Sequence, residues 1–262
     1  MTASSIPALR AESTYVLNLI DGLTPQQWAA PSACAGWRVQ EVVAHMGAVF
    51  RSICGDPSIP SDPSGDAERS ADLAVDQRRS WTPKQVVDEY REWAPKGIDA
   101  LAALQQPPMS DTVIPLGNLG AHPMHILGNA IVFDHYCHLR HDIGAAIPAA
   151  AGLPRAAAAL EAILDWMLMG LPQMCSEALG RVPRQAVNLY FDGVIDGEFA
   201  LEPGDPLWTI RPGHVEGAPT LLTHAHDFVS WGTKRADWRA SSTLTGTGAD
   251  AAAIVLDSIN II

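Results

Sequence analysis

Basic residues are scarce in this chain. Its 262 residues include 17 Lys and Arg against 29 Asp and Glu, a formal net charge of -12. Broad nucleic-acid binding needs a basic footprint, and the balance argues against it. A local arginine can still reverse the field within one cleft, so anionic small molecules remain admissible partners. Cysteine is also sparse: Cys34, Cys54, Cys137 and Cys175 are widely spaced and form no CxxC pair. That spacing favours free thiols over a disulfide framework or a thiolate metal site. No run of eighteen apolar residues occurs, so no membrane-spanning helix is expected. The N-terminus lacks a basic patch leading into an apolar core, so no secretory leader is expected and a cytoplasmic location follows by default.

What is present reads as helix over the first two-thirds. Ile6, Leu9, Ser13, Val16, Leu17 and Ile20 form one helical stripe. Val39, Val42, Val43, Met46, Val49, Phe50 and Ile53 form another, ending before Gly55. Thr24-Pro25 and Thr82-Pro83 are helix starts, each a capping hydroxyl followed by a proline preset for the first turn. Residues 55–72 are expected to be a polar loop. Val86, Val87, Tyr90, Trp93, Ile98 and Leu101 mark a further buried face, and a helix is expected from near His122 and another from Pro154. The pattern then changes. Residues 186–191 and 198–201 flank the hairpin signals Asp192-Gly193 and Asp196-Gly197. Strands are also expected over 207–210 and 242–245, with helices over 222–233 and 249–259. The expected fold is α+β, with a helical bundle over residues 1–177 and a smaller α/β domain over 178–262.

The stretch Phe133–Asp142 carries the chemistry. On a helix, Asp134, His138 and His141 share one face at steps of four and three. The same steps run backward reach Ile131, Leu127 and Met124, so a core stripe turns into a carboxylate and two imidazoles. Unpaired titratable groups are costly to bury. A divalent metal would satisfy them, since carboxylate oxygen and neutral imidazole nitrogen are ordinary ligands for zinc and its neighbours. His45, at the edge of its helix's apolar face, would complete a three-ligand set drawn from two helices. His122, His125, His135, His224 and His226 read as structural.

Three segments resemble the mycothiol-dependent maleylpyruvate isomerase family, a branch of the DinB-like metal-binding bundles found largely in actinobacteria. The first runs from Leu23-Thr24-Pro25-Gln26-Gln27-Trp28 through Pro31-Ser32 and Cys34-Ala35-Gly36-Trp37-Arg38-Val39 to Val42-Val43-Ala44-His45-Met46. The second is the stretch from Asp134 to Asp142. The third is Asp227-Phe228-Val229-Ser230-Trp231-Gly232-Thr233-Lys234-Arg235, with the closing Leu256-Asp257-Ser258-Ile259-Asn260-Ile261. The resemblance implies an N-terminal DinB-like four-helix bundle and a smaller α/β domain. It implies zinc held by His45, Asp134 and His138, with Arg235 binding thiol or substrate. There are departures: Asp134 stands where Glu is usual, and Lys234 stands where Gly often precedes the Arg. His138 is followed by Leu-Arg-His-Asp rather than the frequent His-x-x-Asp spacing, which leaves His141 open as an additional or alternative ligand. Asp142 is a candidate for orienting a ligating imidazole.

Three protein ligands leave a metal position open, the arrangement of catalytic rather than structural zinc. A thiol bound to a divalent cation loses its proton readily. The expected activity is therefore use of a low-molecular-weight thiol, mycothiol, for isomerisation or S-transfer on a small electrophile. The alternatives are a metal-dependent hydrolase of the same fold and a non-catalytic metal- or ligand-binding protein. The oligomeric state is left open between monomer and homodimer.

Overall fold

The computed structural model describes residues 5–262, and its contacts divide the chain into two compact units, residues 1–154 and 155–262. The first unit holds α1 (Ile6–Ile20), the short α2 (Pro25–Trp28), α3 (Val39–Ile53), α4 (Ala67–Asp76), α5 (Pro83–Leu104), α6 (Leu127–Cys137) and the short α7 (Pro148–Ala151). Two three-residue strands, β1 (Val113–Pro115) and β2 (Ala121–Pro123), pair antiparallel on the way into α6. Both expected helix starts form. Thr24 and Thr82 accept from the backbone N–H of Gln27 and Gln85, whose side chains accept in turn from the Thr backbone. These reciprocal bonds satisfy two orphan donors at each start.

The four long helices α1, α3, α5 and α6 pack as a bundle. Its core takes Leu9 and Val16 from α1, Val42, Met46 and Phe50 from α3, Tyr90 and Leu101 from α5, and Val132 and Tyr136 from α6. The α3–α5 contact is the closest. Gly97 lies against the buried Phe50 ring, with no room there for a Cβ. Residues 55–72 are not loop throughout: α4 begins at Ala67, with the Asp66 carboxylate accepting from the Arg69 N–H at 2.8 Å.

The second unit holds α8 (Ala157–Met174), the short α9 (Ser176–Leu179), β3 (Val187–Asp192), β4 (Gly197–Glu202), β5 (Thr209–Pro212), β6 (Thr220–His224), α10 (Ala225–Gly232), β7 (Thr243–Thr245) and α11 (Ala249–Ser258). Its five-stranded sheet has the order β5-β4-β3-β6-β7. Only β3 and β6 run parallel, with Leu189 beside Leu221. Val187, Leu189 and Phe191 alternate toward the covered face, where Phe228 of α10 meets Phe191 at 5.4 Å between ring centres. The division at 154/155 falls ahead of the 177/178 boundary expected from sequence. The reason is α8, which packs on α10 and β5 and so groups with the sheet. The expected helix over 222–233 is instead the end of β6 followed by α10. Among the described residues, no helix is long and apolar enough to cross a membrane.

Candidate metal centre

Within the first unit, α3 supplies His45 and the last turn of α6 supplies Asp134. His138 opens a π-helical turn, His138–Ile143, that continues α6. The three side chains converge. His45 Nε2 lies 2.9 Å and His138 Nε2 3.4 Å from the same oxygen, Asp134 Oδ1. The two imidazoles meet edge to face at 4.9 Å between ring centres. Trp37 closes one side, its ring centre 5.3 Å from His45 and 6.4 Å from His138. Trp37 is itself held by its Nε1–H, which donates to Asp72 Oδ1 of α4 at 3.1 Å.

The donor set fits a divalent cation. Two ligands bound about 2.0–2.1 Å from one ion stand roughly 3–3.4 Å apart, close to the separations seen here. Asp134 pairs with three imidazoles, those of His45, His135 and His138, none of which carries a fixed positive charge. Asp134 Oδ2 is buried without a hydrogen-bond partner, a deficit that a bound cation would relieve. His138 Nδ1 lies 2.7 Å from Asp142 Oδ2. Donating there fixes the tautomer and leaves the Nε2 lone pair facing His45 and Asp134.

Electrostatics tie the cluster together. Burial works to raise the Asp134 carboxyl, but the His45 and His138 imidazoles outweigh it and hold it well below the usual carboxylate range. Burial works to lower His138, and Asp134, Asp142 and Cys34 together push it well above the usual imidazole value.

The family described as Mycothiol maleylpyruvate isomerase N-terminal domain matches residues 9–144, just over half of the chain. The chain belongs to this family. No curated protein matches it. Two crystal structures, of the mycothiol-dependent maleylpyruvate isomerase and of its histidine-to-alanine mutant, share the fold. Each aligns at a TM-score of 0.57 over 92% of this chain and 91% of its own, at 11% and 10% identity respectively.

Within this member of the mycothiol maleylpyruvate isomerase family, His138 rather than His141 is brought to His45 and Asp134. His141 joins neither of the donor groups gathered among the described residues, and its ring sits 6.5 Å from that of Tyr136. Gly144 N–H bonds Leu139 O at 2.9 Å in an i→i+5 step, and within the same turn the i,i+4 pair His138 and Asp142 meets. Arg140, which follows in the same turn, is committed elsewhere: it forms a buried two-pronged pair with Glu12 at 2.7 and 3.0 Å. Arg235 lies in the second unit, exposed on the turn after α10, its N–H donating to Ser230 O at 2.9 Å. His122 Nε2 and His125 Nδ1 are each 2.8 Å from a backbone carbonyl, and His224 pairs with Asp192.

One neighbour of the cluster, Cys34, escaped the sequence reading; another, His135, makes the structural contacts expected of it. Cys34 Sγ lies 3.8 Å from His138 Nδ1, brought there across 104 positions of chain. His135, fully buried, has Nδ1 3.0 Å from Ile131 O, which it bonds as donor, and 3.3 Å from Asp134 Oδ2. Its Nε2 therefore accepts from Tyr90 O–H at 3.1 Å. The motif around Trp37 was the one signal for Cys34.

Proposed function

We propose that the protein is a metal-dependent enzyme that uses mycothiol, or a similar low-molecular-weight thiol, for isomerisation or S-transfer on a small anionic electrophile. The observation that carries this reading is the convergence of His45, Asp134 and His138 donors from α3 and α6 on one point. Family membership supports the thiol.

His45, Asp134 and His138 would hold a divalent cation such as zinc, which would supply the Lewis acidity that lowers a thiol's pKa toward neutral pH. The chain's own residues do the rest. Asp142 holds the His138 ring in one tautomer and one orientation. Trp37 packs flat ring surface beside both imidazoles and shields them from bulk water on that side. Three protein donors leave coordination open for a ligand, as catalytic sites do. Arg235 binds a carboxylate of substrate or thiol, the role for which its fork of N–H donors suits it.

Calorimetric titration of mycothiol into zinc-loaded and into chelated protein tests the reading. Binding is expected with zinc and not without it. Arg235→Ala is expected to raise KM for an anionic substrate while leaving zinc content unchanged. Thiol affinity indifferent to chelation would overturn the proposal.

A further inference from the structure

The His138 ring stands between two donor sets. Its Nε2 faces Asp134 Oδ1 and the His45 imidazole. Its Nδ1 faces Asp142 Oδ2 at 2.7 Å and Cys34 Sγ at 3.8 Å. Cys34, His138 and Asp142 each offer a donor atom within 4.8 Å of the other two, as His45, Asp134 and His138 do. A cation bound about 2.3 Å from sulfur and about 2.1 Å from nitrogen separates those two atoms by roughly 3.6 Å at a tetrahedral angle, close to the observed spacing, while the 2.7 Å between Nδ1 and Asp142 Oδ2 is a hydrogen-bond distance that must open as the ion enters.

The fold holds the sulfur there. Cys34 N–H donates to Ser32 Oγ at 3.1 Å, and Cys34 O accepts from Trp37 N–H at 3.1 Å. Ala33 N–H donates to Asp142 O at 3.1 Å, which ties this loop directly to the π-helical turn. Gly36 provides the left-handed residue (φ 77°) that lets the loop close. Cys34 is half-buried between exposed Ala33 and Ala35, so an ion has a route to it.

We propose that Cys34, His138 and Asp142 form a second cation site, selective for soft ions such as Cd2+ or Cu+, whose occupancy excludes occupancy of the His45–Asp134–His138 site. Selectivity follows from the donors. The second set contains a thiolate, which favours soft ions, whereas the first offers only nitrogen and oxygen. Exclusion follows from the ring. A neutral imidazole has one N–H and one lone pair. A cation at Nε2 leaves the proton on Nδ1, donated to Asp142. A cation at Nδ1 leaves it on Nε2, turned toward Asp134. On soft-ion binding the thiol proton goes to solvent, the imidazole proton changes nitrogen, and nothing is oxidised. A soft ion thus disables the first site by withdrawing one of its three ligands.

The test is titration of zinc-free full-length protein with Cd2+, following the ultraviolet thiolate-to-cadmium charge-transfer band. The wild-type protein is expected to develop the band at one equivalent and to lose it on zinc saturation. Cys34→Ser is expected to lose more than about nine-tenths of the band yet bind zinc as wild type does, which also shows that it is folded. His45→Ala is expected to keep the band and lose zinc affinity. No band in the wild type, or an undiminished band in Cys34→Ser, would overturn the site. A band that survives zinc saturation would overturn the exclusion. Because the Cys34→Ser variant separates Cys34 from the other three free thiols, Cys54, Cys137 and Cys175, the band decides whether the second site exists even if zinc binding at the first site fails.

Discussion

At Asp134, burial and charge pull in opposite directions, and charge wins. Without metal, the His138 imidazolium stands against its carboxylate. His138 is raised above its ordinary 6.5. Its contribution to folding is therefore complete below about pH 6.5 and fades as pH climbs through the higher folded value. Asp134 is lowered below its ordinary 3.8, so its contribution is complete above about pH 3.8 and is lost as pH falls through the folded value. The metal-free cluster stabilises the fold most between those limits. Above them a cation takes over the work of the proton, because His138 must be neutral to bind it. Zinc binding near pH 6.5 should release a proton, seen as a dependence of calorimetric heat on buffer ionisation, and zinc affinity should rise from pH 6 to 8. A flat affinity across that range would contradict the assignment. Side-chain identity at this scale was legible where a residue interrupts a pattern: Asp134 and His138 replace apolar residues on a core stripe. Cys34 was not legible, because its meaning comes from a fold-dependent approach to His138. Lys234 is the converse case. It adopts φ 59° where a Gly is usual, with Nζ donating to Asp257 O at 2.7 Å, so the departure is absorbed by an accommodated left-handed residue.

Helices announced themselves where their signals are local. Thr24-Pro25 and Thr82-Pro83 cap and start helices through atoms within four residues of one another. The stripes on α1 and α3 bury most of the residues their periods mark, with Leu17, Val49 and Ile53 only half-buried. Besides the short β1, β2, α7 and α9, two elements were missed for opposite reasons. α4 is polar, capped by Asp66 and rich in charge, and so resembles the loop that precedes it. β6 is five residues long and gains its identity from parallel pairing with β3, more than thirty residues earlier. The α3–α5 packing offers a test at this scale. Gly97→Ala puts a methyl into the buried Phe50 ring, and overpacking of this kind costs about 1–3 kcal/mol. Denaturant titration should show that loss against the roughly 1 kcal/mol gain expected of Gly→Ala in an uncrowded helix. A net gain in stability would mean that α3 and α5 are not so closely packed.

For the molecule as a whole, the donors of the candidate centre all belong to the first unit, and Arg235 belongs to the second. Composition had set the acidity and residue pattern the α+β class, but neither set the allegiance of α8. A buried helix joins whichever core its apolar face completes, and that choice is made by partners distant in sequence. Zinc binding only the folded state would add about 2.7 kcal/mol at a hundredfold excess over Kd. Hydrogen exchange should register it as slower exchange in α3, α6 and the π-helical turn. An equal gain in β3 and β6, with none in those elements, would place the ion elsewhere.

The most direct test is zinc titration by calorimetry into chelated wild-type protein and its His45→Ala variant. One equivalent is expected in the wild type. In the variant, affinity is expected to fall by more than about 100-fold, beyond the range that loss of an orienting partner alone produces. A His45→Ala protein that takes up one equivalent of zinc with unchanged affinity would contradict the account.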